Sequence, residues 1–220
     1  MSQAAEGHGA GGFRYGAVLL LTIGVAIFAL VAPEGGAVRT IELFATGAIL
    51  LVAVLTSRAP RATRRTAGLA VAIAVLGAGI AAAVGNPNAS WAFAASALLL
   101  ALTAGVILSG LVRLVIGRGV VLQAVFGALA VYVLVGLTFG FVIGAIATGS
   151  STDYFASGTD ATQSTRVYFS FTTLTTTGYG DYTDATRGGH ALAVLEMLLG
   201  QLYLVTVISI LVGNLRRRPQ

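Results

Sequence analysis

Thr172-Thr173-Leu174-Thr175-Thr176-Thr177-Gly178-Tyr179-Gly180-Asp181 lies between the last two strongly apolar segments of the chain. It follows an aromatic, hydroxyl-bearing run, Tyr168-Phe169-Ser170-Phe171. Lipid offers no hydrogen-bonding partner, so irregular backbone at membrane depth persists only where protein buries it or where it lines a watery path. A hydroxyl-rich loop ending in Gly-Tyr-Gly reads as the wall of such a path.

Gly178 and Gly180 bracket one aromatic residue. Glycine takes positive φ without steric cost, so alternating it with larger residues lets successive peptide planes flip until all carbonyls face one side. One such strand cannot surround an ion. Four copies about an axis would stack oxygen rings that replace the hydration shell of a monovalent cation. The ring-formers expected are the carbonyls of Thr176, Thr177, Gly178 and Tyr179, with the Thr176 hydroxyl adding the innermost ring. The Tyr179 side chain then points outward against the preceding short helix, with Tyr168 and Phe169 as candidate braces. Asp181 would ring the outer mouth and concentrate cations there.

Thr176-Thr177-Gly178-Tyr179-Gly180-Asp181 resembles the signature Thr-Val-Gly-Tyr-Gly-Asp of the tetrameric potassium-channel superfamily. The resemblance covers roughly residues 120–214 and implies an outer helix, a re-entrant pore helix, a selectivity filter and an inner helix. It also implies a homotetramer with K+ as the permeant ion at residues 176–179, and no other cofactor. Thr177 stands where the family often has Val or Ile. Thr172 stands where many members place an acidic residue behind the filter, a departure that bears on inactivation and not on selectivity.

The rest of the composition agrees with a membrane setting. Of 220 residues 56% are hydrophobic and only 10% charged, with a mean hydropathy of +0.89, which excludes an ordinary soluble domain. There is no cysteine, and the formal net charge of +5 is carried by arginine alone. Those arginines fall between apolar runs, which reads as membrane topology and not as nucleic-acid binding. Residues 1–12 are Gly/Ala-rich and expected to be disordered. No cleavable leader stands out, so the first span would serve as signal anchor.

Six runs reach about the 20 apolar residues that a helical span needs, near 14–32, 40–57, 66–84, 91–112, 120–147 and 189–213. The expected fold is thus an all-α membrane protein with six transmembrane helices and the pore helix and filter between the fifth and sixth. Residues 13–118 form a four-helix domain and residues 119–220 the pore domain. Cytoplasmic loops are enriched in arginine. With the N-terminus inside, Arg14, Arg58, Arg61, Arg64, Arg65, Arg113, Arg118, Arg216, Arg217 and Arg218 lie inside, against Arg39, Arg166 and Arg187 outside. Both termini are then cytoplasmic, in a multi-pass cell-membrane protein whose filter opens outward. Tyr15 and Trp91, at run ends, suit interfacial anchors.

A membrane field works only on charge placed within it, and the run 91–112 has none. The first four spans resemble a voltage-sensor layout without gating arginines, so voltage dependence is expected to be weak or absent. In the fifth run Gly136, Gly140 and Gly144 share one helix face and form a close-approach seam. The pore helix is expected over residues 166–175, its C-terminal dipole end favouring a cation. Arg166 could pair with Asp160, although a solvated charge is the expected reading. Asp184 is likewise expected as a solvated loop charge, and His190 as the outer start of the last helix.

On the inner helix Gly200 matches the family's hinge position, as either a bend point or a packing glycine. Gln201, Leu204, Ile208 and Val212 share a face expected to line the cavity, with Gln201 below the filter and Val212 near the inner mouth. Glu196 is the acidic residue deep in a span. It is expected buried against the pore helix, hydrogen-bonded or protonated, with Thr172 or Tyr168 as partner. With the basic run 216–218 near the end of the sequence, a ligand-binding cytoplasmic domain is not expected; the run is read as a topology anchor, with contact to anionic lipid headgroups as the alternative. Three functions compete: a potassium-selective channel, a less selective cation channel, and a subunit of a potassium transporter built from pore loops. With only His8 and His190 and no paired carboxylates, catalysis is not expected, and neither nucleic acid nor a small-molecule substrate beyond K+ is implied.

Overall fold

A computed structural model describes residues 15–57, 59–83 and 89–215. The expectations for residues 1–12, for the turn at 86–88 and for the basic run 216–218 lie outside them. Among the described residues the elements are α1 (Tyr15–Val31), α2 (Gly36–Thr56), α3 (Arg61–Ala83), α4 (Ala89–Arg118), α5 (Leu122–Gly149), α6 (Gln163–Leu174) and α7 (Arg187–Leu215). Four described helical stretches are long and apolar enough to cross a membrane: Gly36–Thr56, Ser90–Gly117, Leu122–Gly149 and Arg187–Val207. Among the described residues the fold is all-helical, with these four stretches as candidate membrane spans.

The expected runs recur as helices with shifted ends. α3 begins at Arg61 and α4 runs on to Arg118, because arginine is a good helix former. α6, expected as the pore helix over residues 166–175, starts earlier, at Gln163. The Thr162 hydroxyl caps it by accepting from the Thr165 amide at 3.2 Å, the usual service of threonine at that position.

α5 is the axis of the subunit. α4 lies along it, α1 packs on it from another side, and α2 bridges α1 and α4, with α3 outermost against α2 and α4. Only residues 119–121 separate α4 from α5, so the four-helix unit folds back on its own outer helix. One core of buried aliphatic and aromatic residues runs through α1, α2, α4 and α5 and reaches α6 at Val167. At its inner end Tyr15 is fully buried, its hydroxyl donating to Ser57 Oγ at 3.3 Å, while Arg113 Nη2 donates to the Ser57 carbonyl at 3.3 Å. Tyr15 is therefore a core residue and not a lipid-facing anchor. Gly110 and Gly127 leave the room that its ring occupies.

The glycine seam of α5 is occupied by α6. A Cβ at Gly136 would lie 2.8 Å from the Phe171 ring, and one at Gly140 only 3.1 Å from Val167 Cα. At Gly144 it would meet Gln163 Oε1 and the Phe93 ring, each at 3.1 Å. Each step of four residues along α5 thus admits one turn of α6, which is what seats α6 closely against α5.

Candidate functional site: the Gly-Tyr-Gly strand and its supports

The strand that follows α6 is built from the end of that helix. The Thr172 carbonyl accepts from the amides of Thr177 at 2.8 Å and Gly178 at 3.1 Å, and the Thr173 carbonyl accepts from Thr176 at 2.9 Å. Carbonyls left free at a helix C-terminus are natural acceptors, and here they fold the chain back along the helix. Positive φ recurs at every second residue: 57° at Thr176, 50° at Gly178 and 79° at Gly180. The two glycines take this conformation freely. A β-branched residue there is a steric outlier, so Thr176 is held by its surroundings. Its amide bond to Thr173 is one restraint, and Gln201 Nε2, donating to Thr176 Oγ1 at 3.0 Å, is another. Sequence reading found the glycines and missed the third member of the alternation, because nothing in a threonine announces positive φ.

Thr177, the departure from the family signature, has a partner in place of an apolar contact, its hydroxyl lying 2.9 Å from Thr175 Oγ1. Tyr179 stacks on Tyr168 with ring centroids 6.3 Å apart and planes 3° from parallel. Phe169, the other candidate brace, turns instead to Phe155, edge to face at 5.3 Å. Residues 175–181 are all exposed in the single chain, and Asp181 follows the strand with its carboxylate accepting from the Tyr182 amide at 3.1 Å.

Behind the strand, the loop between α5 and α6 carries its own small core. Phe155 is buried among Tyr154, Phe169 and Tyr182 and bridges to Thr159 and Asp184. Asp184 is buried at 9% exposure, with Oδ1 3.5 Å from His190 Nε2, so it is a structural contact and not a solvated loop charge. Arg166 is also buried, at 4% exposure, and corrects the solvated reading. Its Nε donates to the Asp160 carbonyl at 2.9 Å and its guanidinium lies 5.4 Å from the Phe93 centroid. Its cationic head is thus held by an oriented carbonyl and a π face.

The start of α6 is held from the four-helix side. Glu34 Oε1 accepts from the Gln163 amide at 2.5 Å, and Ser164 Oγ donates to the Leu30 carbonyl at 2.7 Å. A carboxylate beside the amides of a helix N-terminus is electrostatically favourable. Sequence offered no sign of this join between the α1–α2 turn and the pore helix.

α7 fastens to α6 at successive levels. Glu196 is fully buried and meets Ser170 Oγ at 2.5 Å. Its expected partners are engaged elsewhere, Thr172 with the Phe169 carbonyl at 2.9 Å and Tyr168 with Tyr179. One turn further, Gly200 lies against the Leu174 carbonyl, closer than any side chain would allow. α7 runs unbroken through Gly200. Gln201 is exposed below the strand and Leu204 half-buried, while the side chains of Ile208 and Val212 lie outside the described residues. The outward face of α7, with Val194, Leu195, Leu198, Leu199, Leu202 and Val205, is bare apolar surface.

Residues 128–217 match a family model described as Ion channel. That segment holds most of α5, the loop, α6, the Gly-Tyr-Gly strand and α7. No significant match appears among curated proteins or among solved structures.

Proposed function

We propose, from the premise that this chain belongs to the tetrameric potassium-channel superfamily, that it conducts K+ passively through a homotetrameric pore. The observation that carries this reading is the alternation of positive φ at Thr176, Gly178 and Gly180. Alternate left-handed residues turn successive carbonyls to one side, and carbonyl rings of that kind select K+ by replacing its water. Thr176, Thr177, Gly178 and Tyr179 would supply the ion-binding oxygens, and Gly180 the flip that closes the column. Asp181 would supply the negative field at the mouth.

Assembly into four is supported by what one chain leaves uncovered. Only 11% of the apolar window of α7 is buried within the subunit, against 56% of that of α5. The filter strand is bare as well. Four copies would place both against an axis, with Gln201 and Leu204 on the cavity wall and Ile208 and Val212 toward the inner mouth. Gly200 there is either the hinge of gating or the close-packing point that its contact with Leu174 favours.

The six-span reading rests on the six apolar runs, and the arginine distribution supports an orientation with both termini cytoplasmic and the filter opening outside. The run 91–112 within α4 carries no charge, so the pore would open with little dependence on voltage. Reversal potentials in planar bilayers with K+ on one side and Na+ on the other test the selectivity. The expected value is a reversal potential far from zero, of the sign set by a K+ permeability much larger than that of Na+. A value near zero would establish the weakly selective cation channel instead, and turnover-limited flux would establish a transporter subunit.

A further inference from the structure

Counting protons behind the filter gives one residue a role that its burial alone does not. Ser170 Oγ lies 2.6 Å from the Gly136 carbonyl and 2.5 Å from Glu196 Oε1. A serine hydroxyl has one hydrogen to donate, and a carbonyl can only accept. If Ser170 gave its hydrogen to an ionised Glu196, its oxygen would face the Gly136 oxygen at 2.6 Å with no hydrogen between them. The two contacts coexist only if Ser170 donates to Gly136 and Glu196 donates to Ser170.

We infer that Glu196 is held as the neutral acid and serves as a positioning residue, the donor end of a relay from α7 through Ser170 of α6 to Gly136 of α5. The surroundings agree. Glu196 is fully buried, its Oε2 has no partner among the described residues, and no cation reaches it there. An unpaired carboxylate in such a place is strongly disfavoured. On α6 the ionisable side chains are turned away, Arg166 to Phe93 and the Asp160 carbonyl and Tyr168 to Tyr179. On α5 and in the adjoining loop the titratable groups on this side are the phenols of Tyr132 and Tyr154, which are uncharged and supply no cation; the Tyr132 hydroxyl donates to the Leu174 carbonyl at 3.4 Å.

The relay joins three helices at one level. Four residues further along both α6 and α7, Gly200 abuts the Leu174 carbonyl, and the next residue, Gln201, reaches Thr176. The inner helix is thus registered on the pore helix, and through it on the innermost filter residue. The relay itself stands on proton counting, and only its consequence for conduction rests on the channel reading.

Infrared spectra of the lipid-reconstituted protein, wild type against Glu196→Gln, read the protonation directly. The expected result is a protonated-carboxyl band at neutral pH that Glu196→Gln removes. Spectra that lose no such band on this substitution overturn the inference. Cation flux from liposomes then reads the positioning role. Glu196→Gln keeps an N–H donor for Ser170 and is expected within about twofold of wild type. Glu196→Leu and Ser170→Ala each break the relay and are expected to lose about tenfold, the consequence of one unmet buried hydrogen bond. Ser170→Ala leaves only a smaller side chain and carries the comparison if Glu196→Leu does not assemble. Full flux in Ser170→Ala, or a loss in Glu196→Gln equal to that in Ser170→Ala, overturns the positioning role. A band that Glu196→Gln removes, found with flux that does not discriminate K+, upholds the relay and overturns the potassium reading.

Discussion

Replacing Gly178 by aspartate is expected to reduce potassium efflux from liposomes to the protein-free background while the protein still inserts and assembles. Strain is the smaller part of this effect. A side chain at φ 50° carries a penalty of about 1–2 kcal/mol, and aspartate is among the residues that bear it best. A Cβ at Gly178 meets nothing within 4 Å in its own chain, so the subunit fold is spared. The larger part is electrostatic. Four carboxylates would stand in a narrow column where neutral carbonyl dipoles must bind a cation loosely enough to release it. Wild-type efflux blocked by barium, a divalent ion of nearly the size of potassium, provides the reference. Barium-sensitive efflux persisting in Gly178→Asp would remove Gly178 from the conduction path.

Gly200→Ala is expected to destabilise the assembled protein and depress its flux together. Alanine ordinarily improves a helix by about 1 kcal/mol relative to glycine. Here its Cβ would overlap the Leu174 carbonyl oxygen and crowd Leu174 Cδ1 at 2.9 Å. The leucine tip can move and the backbone oxygen cannot, so α7 must shift off α6, and overpacking of this kind costs about 1–3 kcal/mol per subunit. Thermal unfolding in detergent and liposome flux check the two consequences. A hinge role alone would leave the melting temperature at or above wild type while altering opening, and that result would refute the packing account of Gly200.

What could be read from the sequence was whatever depends on periodicity or on glycine. The glycine seam at 136, 140 and 144 was visible because a step of four marks one helix face, and the pore helix fills it. The irregular Gly-Tyr-Gly strand was visible through Gly178 and Gly180, but not through Thr176, whose φ of 57° is imposed by the end of α6 and by Gln201. Partners across elements were harder. Glu196 was singled out as buried and acidic, yet its neighbour is Ser170, because the rotation of α6 about its own axis decides which hydroxyl faces α7.

Arg166 and Asp184 resembled solvated charges because the residues around them are polar. Phe155 and Phe93 bury them, and Phe155 sits in a loop whose composition conceals a core. The join of Glu34 to the first amide of α6 spans 129 positions, a separation that no local pattern encodes.

The central claim is geometric: four copies of residues 176–179 must meet on one axis and present their carbonyls to it. Electron cryo-microscopy of the protein in lipid nanodiscs, with K+ in the buffer, measures this without recourse to flux. The account predicts a fourfold assembly with Gly178 of every subunit beside the axis and density for dehydrated ions between its carbonyl layers. A monomeric particle, or a Gly-Tyr-Gly strand lying at the lipid-facing edge of the assembly, would contradict it.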